Sequence, residues 1–90
     1  DVEELPDGTY QINGTLAIND LVELLGFEPE EADEVETAGG LLLKLFDRIP
    51  DEGDVAVLEH RGTKVTFTVL SMDRLRIDRI CMAIDRPDEE

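Results

Sequence analysis

The run TAGGLLLKLFDRIPDEGD at residues 37–54 constrains the fold most, because it encodes a helix start, an apolar stripe and a stop in one short stretch. Thr37 is a suitable N-cap, and Pro50 with Gly53 is predicted to end the helix. The apolar residues recur at helical spacing: Leu41, Leu42, Leu45 and Phe46. A helix with one apolar face must bury it against another layer, so the flanking segments have to supply a partner for it.

The segment before this helix alternates turns with short elements. Asp7-Gly8 and Asn13-Gly14 are turn dipeptides, and Tyr10 and Ile12 between them alternate with polar residues as on a half-buried strand. Asn19 is the predicted N-cap of a helix of about two turns, which Gly26 closes in the left-handed conformation. The acidic residues 28–36 are predicted to be a solvated connection.

The segment after residue 54 has the period-two pattern of strands. Val55 and Val57, and then Val65, Phe67 and Val69, indicate two strands, and Arg61-Gly62 fits the hairpin turn between them. The last strand slips by one position, and a bulge near Asp78 and Arg79 would return its apolar residues to one face: Ile77, Ile80, Met82 and Ile84. The predicted fold class is therefore α+β, with an antiparallel sheet and two short helices on one face.

Ninety residues suit one domain, which we assign to residues 1–90 with an ordered core over residues 7–85 and loose acidic ends at 1–4 and 88–90. The chain begins without an initiator Met, so we expect it to be a module of something longer. Its formal net charge of −15, from 8 basic and 23 acidic residues, disfavours nucleic acid and anionic membrane surfaces as partners. No apolar run approaches the ~20 residues of a membrane helix, so no direct membrane insertion is expected. Cys81 is the single cysteine, which fits a reducing, cytoplasmic setting.

The order of these elements resembles the CorC/HlyC transporter-associated domain. The residues that carry the resemblance span nearly the whole chain: Asp7-Gly8, Tyr10, Gly14, Asn19-Asp20-Leu21, Leu24-Leu25-Gly26, Thr37, Gly40-Leu41, Ile49-Pro50, Glu52-Gly53-Asp54, Phe67-x-Val69 and the strand over residues 77–84. The last hairpin departs from the pattern, because Asp73-Arg74-Leu75-Arg76 stands where the family often has a glycine turn.

The resemblance implies a fold like part of the FAD-binding domains of the vanillyl-alcohol oxidase (PCMH) type. It also implies a parent protein of the CorC magnesium and cobalt efflux or hemolysin-like kind, with a membrane domain and paired CBS domains. We therefore expect a non-enzymatic accessory domain on the cytoplasmic side of the membrane, which modulates transport through contacts with the neighbouring CBS and membrane domains or with a second copy in a homodimer.

Two ligand hypotheses stand beside this one, although no cofactor is expected. The acidic carboxylates Glu30, Glu31, Asp33 and Glu34, with Glu28 and Glu36 beside them, could bind Mg²⁺ or Ca²⁺ weakly, which would make the domain a surface cation sensor; a solvated loop explains the same residues. A flavin (FAD) or adenine-nucleotide site rests on the fold analogy alone, because the chain has no G-x-G-x-x-G and no P-loop. Gly39-Gly40 is more simply a place where a helix approaches the sheet.

The remaining candidates concern catalysis and docking. His60 is the only histidine and is predicted to be an exposed strand-end residue, while Ser71 and Cys81 occupy strand positions, so no catalytic residue is assigned. Arg74, Arg76 and Arg79 concentrate basic charge near the last hairpin. They form either a docking face or surface ion pairs with Asp73 and Asp78.

Overall fold

A computed structural model describes residues 2–87 and contains one five-stranded sheet with two helices. The strands are β1 (Val2–Glu4), β2 (Tyr10–Asn13), β3 (Val55–His60), β4 (Thr63–Asp73) and β5 (Arg76–Asp85). The helices are α1 (Ile18–Leu25) and α2 (Ala38–Phe46), and a 3₁₀ turn at Glu30–Ala32 lies between them. The sheet order is β1-β2-β5-β4-β3, with every neighbouring pair antiparallel.

The predicted α+β class with an antiparallel sheet is confirmed, and both helices pack on one face of the sheet. Ile12, Phe67 and Ile80 from the strands are fully buried against Leu21 and Leu41 from the helices. Burial of apolar side chains of this size contributes about 1.5–3 kcal/mol each before conformational entropy is counted. The predicted likeness to FAD-binding domains stays a prediction.

The predicted cap of α2 is confirmed, whereas its predicted end is not. The Thr37 hydroxyl oxygen accepts a hydrogen bond from the Gly40 N–H at 3.1 Å. The helix ends at Phe46, because Asp47 turns into the left-handed region at φ 58° and its N–H donates to the Leu43 carbonyl. Pro50 and Gly53 lie in the turn that follows. They therefore do not end the helix as was predicted.

Asn19 is not the N-cap of α1. The helix begins two residues earlier than predicted, at Ile18, with Ala17 as its cap and no side-chain capping bond. An isolated bridge between Ala17 and Thr37 holds this helix start instead, and the Ile18 N–H donates to the Glu36 carbonyl at 2.9 Å. Backbone pairing between the two helix starts replaces the capping side chain here. The predicted closure at Gly26 is confirmed, at φ 84°.

The predicted β3–β4 hairpin is confirmed, and the structure shows which face of β3 is buried. Arg61 and Gly62 both have positive φ, as a two-residue type I′ turn requires. In β3, however, Ala56 and Leu58 face the core, and Val55 and Val57 are exposed. Both faces of this strand are apolar, so the period-two pattern alone could not select the buried side.

The predicted bulge exists and has a counterpart on the other strand. The pairing of β4 with β5 shifts twice, which leaves Leu70 unpaired on β4 and Asp78 unpaired on β5. Two compensating bulges restore the register, so Ile77 and Ile80 are both buried. The turn that departs from the family pattern is closed by Arg74 at φ 60° without a glycine.

The ordered part is longer than the predicted residues 7–85. Val2–Glu4, expected to be a loose acidic end, forms strand β1 along β2. The acidic connection is also less solvated than predicted, because Ala32 is buried and Val35 packs against the core. The predicted loose positions Asp1 and 88–90 lie outside the described residues.

Candidate functional site

The end of the β4–β5 hairpin projects beyond the other strands. Residues 63–68 of β4 pair with β3 and residues 79–82 of β5 pair with β2, whereas Met72 and Asp73 at the end of β4 have strand partners only across the hairpin, in Ile77 and Arg76. The turn residues Asp73, Arg74, Leu75 and Arg76 are all exposed. Leu75 is 68% exposed, more than any other large hydrophobic residue described. We call residues 73–76 the hairpin tip.

The three predicted interaction arginines divide into two environments. Arg74 and Arg76 lie in the hairpin tip, and neither pairs with Asp73 or Asp78; the ion pair recorded for residues 2–87 joins Arg48 and Asp54. The Asp78 carboxylate accepts instead from the Ser71 hydroxyl at 3.1 Å. Among residues 2–87, neither of these two arginines forms the local ion pair that was the alternative, and the docking face stays a prediction.

Arg79 is not part of the hairpin tip. Its guanidinium donates to the Gln11 side-chain oxygen at 2.7 Å, and its Nε atom is buried with no hydrogen-bond partner among the described atoms. It faces a small cleft of about 160 Å³ on the side of the sheet opposite the helices. The hydrogen bond from Arg79 to Gln11 joins β5 to β2, so Arg79 has a structural role in the sheet.

A shallow cleft of about 260 Å³ separates the base of the hairpin from the start of α2. Arg76 from the hairpin tip and Leu43 from the helix lie on its two sides, so the walls combine charge with an apolar surface. Its lining residues are Gly14, Thr15, Thr37, Gly39, Gly40, Leu43, Asp73, Arg76, Ile77 and Asp78. The cleft adjoins the hairpin tip, so both can contact the same partner.

Gly14 and Gly39 allow the backbones at this cleft to approach closely, as predicted for Gly39-Gly40. A Cβ on Gly14 would lie 1.9 Å from the Ile77 carbonyl oxygen, and one on Gly39 would lie 3.0 Å from the Gly14 oxygen. The Gly14 N–H donates to the Asp78 carbonyl and the Gly39 N–H to the Gly14 carbonyl, both at 2.8 Å. The first turn of α2 is thereby fixed to the sheet.

These bonds bear on phosphate binding at the start of α2. The first three N–H groups of a helix usually bind an anion when they have no partner. Here the Ala38 N–H donates to Leu16, the Gly39 N–H to Gly14 and the Gly40 N–H to the Thr37 hydroxyl. The donors that a flavin or nucleotide phosphate would need are therefore already used within the chain.

The predicted cation ligands do not converge on one point. Glu30, Asp33 and Glu34 are exposed and Glu31 is half-buried. In the described part of the chain, no group of three or more acidic, histidine or cysteine side chains is arranged to hold a metal ion. Cation binding by this segment stays a prediction.

A second group of acidic residues lies in the turn before β3 and has a structural role: Asp51, Glu52 and Asp54. The Asp54 carboxylate accepts from the Asp51 N–H at 2.9 Å and from the Arg48 guanidinium at 3.0 Å. The Asp51 N–H, and after it Arg48, lowers the pKa of Asp54 below its usual value of 3.8. The Glu52 carboxylate accepts from the Met72 N–H at 3.3 Å, which joins this turn to the hairpin.

The residues considered for catalysis are explained by packing. His60 is half-buried, not exposed as predicted, because its ring stacks on Phe27 with centroids 4.4 Å apart. Cys81 and Ser71 lie in β5 and β4 as predicted. No nucleophile in residues 2–87 has a histidine hydrogen-bonded to it.

The five-stranded antiparallel sheet and its two helices define a small α+β domain. The sequence model of the CorC_HlyC family, described as a transporter associated domain, matches residues 3–86. The chain therefore belongs to the CorC_HlyC family, as the resemblance indicated. This family is not a known enzyme family.

Curated relatives with similar sequences are much longer proteins. UPF0053 protein YegH from Escherichia coli is 30% identical over 84 residues, which cover 81% of this chain and 16% of that protein. A UPF0053 protein from Synechocystis is 31% identical over 77 residues, or 82% of this chain and 16% of that protein. The chain thus spans about one sixth of the curated relatives it matches.

Solved structures share the whole fold. The transporter associated domain of a CBS domain protein from Porphyromonas gingivalis has a TM-score of 0.77 at 33% identity, with 98% of each chain covered. The CorC_HlyC domain of a Xylella fastidiosa hemolysin, in complex with Mg²⁺ and Mn²⁺, has a TM-score of 0.70 at 29% identity, with 97% of this chain and 98% of that chain covered. Nearly all of this chain therefore aligns with the transporter associated domains of these two proteins.

Sequence reasoning missed the contribution of Leu75 and of the cleft. The available signal for Leu75 was a leucine inside a predicted turn, flanked by two arginines, where burial was not expected. The cleft has no sequence signal, because it is formed by Gly14, Thr37 and Arg76 from three distant segments.

Proposed function

We propose that this domain is a non-enzymatic contact module of a membrane transporter of the CorC or hemolysin-like kind, and that it modulates ion transport through its contacts with neighbouring CBS and membrane domains. The observation that carries the proposal is the projecting hairpin tip, where Leu75 is exposed between two unpaired arginines. Arginine is enriched in protein interfaces, and an exposed leucine between two arginines adds apolar surface that a contact would bury.

Three properties of the structure support a contact role. No helix in residues 2–87 is long and apolar enough to cross a bilayer. The N–H donors at the start of α2 are used internally, and the acidic segment gathers no metal site in the described residues. At the hairpin tip the domain offers its surroundings two positive charges and an exposed apolar side chain.

The mechanism follows from differential contact. A domain that touches its neighbours in two transport states shifts their equilibrium only by the difference between its contact free energies in the two states. An arginine–carboxylate contact that forms in one state supplies up to about 1 kcal/mol at an exposed site, or roughly a fivefold change in the populations. We place these contacts on the cytoplasmic side of the membrane.

The test compares hairpin variants in the parent protein. Arg74→Ser and Arg76→Ser, combined with Leu75→Ser, should weaken the association between this domain and the remainder of the parent and should change the transport rate. Arg79→Ser is the matched control, because it removes an arginine that lies outside the tip and bonds to Gln11. Association is measured by titration calorimetry with the domain and the separately produced CBS region.

Two results oppose the proposal. Unchanged association after the triple replacement would remove the hairpin tip as the contact. Unchanged transport after deletion of residues 1–90 from the parent would remove the regulatory role. Chemical shifts of the free variant domains show whether each variant is folded before either result is interpreted.

A further inference from the structure

The two edges of the sheet differ in how well they are protected from pairing with another strand. Edge strands usually carry lysine, proline, a bulge or a very short length, which prevents further pairing. β1 is short, with three residues, two of which are glutamates, and Pro6 follows it closely. β3 has six residues and pairs with β4 without a register shift. It also contains no proline, lysine or arginine.

The free edge of β3 presents a regular set of backbone groups. His60 and Thr63 flank the two-residue turn, so they form a hydrogen-bonded pair, and the pairs alternate from there along the strand. The Val69 N–H donates to the Asp54 carbonyl, which places Asp54 in the same alternating series. The N–H and C=O groups of Val55, Val57 and Glu59 therefore point away from β4, toward solvent.

The side chains beside these groups are unusually apolar for an edge. Val55 is 53% exposed and Val57 is 46% exposed, both on the face opposite the helices. Ala56 and Leu58 are buried on the other face. A strand that is apolar on both faces and has unpaired backbone groups is a template for β-strand addition.

We propose that β3 pairs with β3 of a second copy of this chain, antiparallel across a two-fold axis that passes through Val57. This register pairs all three outward-pointing residues, Val57 with its counterpart and Val55 with Glu59 of the partner subunit. It forms six backbone hydrogen bonds. Shifting the register by two residues would leave one of the three outward-pointing residues of each strand without a hydrogen-bonding partner.

Charge complementarity favours a second copy of this chain as the partner of β3, and it favours the antiparallel orientation. The turn that precedes β3 is acidic, with Asp51, Glu52 and Asp54, whereas the turn that follows it carries Arg61, and Lys64 comes soon after. Antiparallel pairing brings the acidic start of one strand beside the basic end of the other. It also places each Glu59 opposite a valine and not opposite the second Glu59. A parallel arrangement would bring like charges together at both ends.

The contact is expected to be weak and to depend on salt. One strand pair forms an interface well below the ~1,200 Å² of stable complexes, and each chain carries a formal net charge of −15. The two negatively charged chains repel each other, and salt shortens the range of this repulsion to ~4 Å at about 0.5 M NaCl. At the same protein concentration, more dimer should therefore be present in that salt than at low salt.

The test is sedimentation equilibrium of residues 1–90 with two matched lysine variants. Val57→Lys places a charge at the centre of the proposed pairing, and Val2→Lys places the same charge on the other edge strand at a residue of similar exposure, 41%. We expect Val57→Lys to raise the dimer dissociation constant at least about tenfold, and Val2→Lys to change it less than about twofold. Amide exchange at Val55, Val57 and Glu59 should slow as the protein concentration rises.

Three outcomes would overturn the proposal. The chain could sediment as a monomer at all concentrations up to about 1 mM, or the two lysine variants could weaken a dimer equally. Neither outcome touches the hairpin contact proposed above, because Arg74, Leu75 and Arg76 are unchanged in both variants. A wild-type dimer with unprotected Val57 amides would likewise assign the contact to another surface.

Discussion

Replacing Gly14 with alanine is the sharpest test of how the cleft is built. The added Cβ would lie 1.9 Å from the Ile77 carbonyl oxygen, roughly 1.5 Å short of ordinary van der Waals contact. The obstacle is the backbone of β5 at Ile77, which is paired with Met72 of β4, so it cannot rotate away as a side chain would. The turn after β2 has to move instead.

That movement has a cost that can be worked out from the bonds it breaks. The Gly14 N–H bond to Asp78 and the Gly39 N–H bond to Gly14 are both 2.8 Å long and would lengthen together. Two backbone hydrogen bonds contribute about 2 kcal/mol, and overpacking adds about 1–3 kcal/mol. The expected loss is therefore about 3–5 kcal/mol, out of a total of roughly 9 kcal/mol for a chain of this length.

The measurement is urea unfolding at 25 °C, with Gly40→Ala as the matched control. A Cβ on Gly40 would lie 3.2 Å from Val35 Cγ1, a side-chain atom that can shift. Alanine there also favours the helix by up to about 1 kcal/mol, so the net change in the free energy of unfolding should be within about 1 kcal/mol. If Gly14→Ala lost no more than the control, the turn after β2 would be free to move and our account of the cleft would be refuted.

The remaining predictions concern the cap of α2, the Asp54 carboxylate and the acidic segment. Thr37→Ala should lower the free energy of unfolding by about 1 kcal/mol, because the Gly40 N–H loses its acceptor, and Thr37→Ser should restore it; urea unfolding measures both. The pKa of Asp54 is lower in the folded chain than its usual value, so its contribution to stability is present above about pH 4 and is lost as the pH falls through the folded pKa; Asp54→Asn should flatten that part of a stability profile recorded between about pH 2 and 6. If the acidic segment binds cations, MgCl₂ should move the backbone amides of residues 28–36 in an NMR titration, and a flat response would remove that hypothesis.

Sequence patterns predicted the elements well where one local rule decides the structure. Thr37 caps α2 with its hydroxyl oxygen, and Gly26 and Gly62 supply the positive φ that the end of α1 and the β3–β4 turn require. The bulge near Asp78 was predictable because a slip of one residue changes which face is apolar.

The failures occur where a distant segment decides the local structure. The start of α1 is set by its bridge to Thr37, so the capping preference of Asn19 is overridden. The burial of Ala56 and Leu58 follows from the pairing of β3 with β4, since both faces of the strand are apolar. Arg79 looked like Arg74 in the sequence, and only the register of β5 against β2 places it beside Gln11.

Strand β4 connects the two contact surfaces that we propose. Its residues 63–68 pair with β3, and its last residues form one side of the projecting hairpin. A hydrogen bond from Met72 to Glu52 links the hairpin to the acidic turn where β3 begins. If a partner at the hairpin tip binds the paired form more tightly than the single domain, linkage requires that it strengthen β3 pairing by the same factor. Sedimentation with and without the CBS region measures that factor directly. A factor of one would mean that the two surfaces act independently, despite the strand that they share.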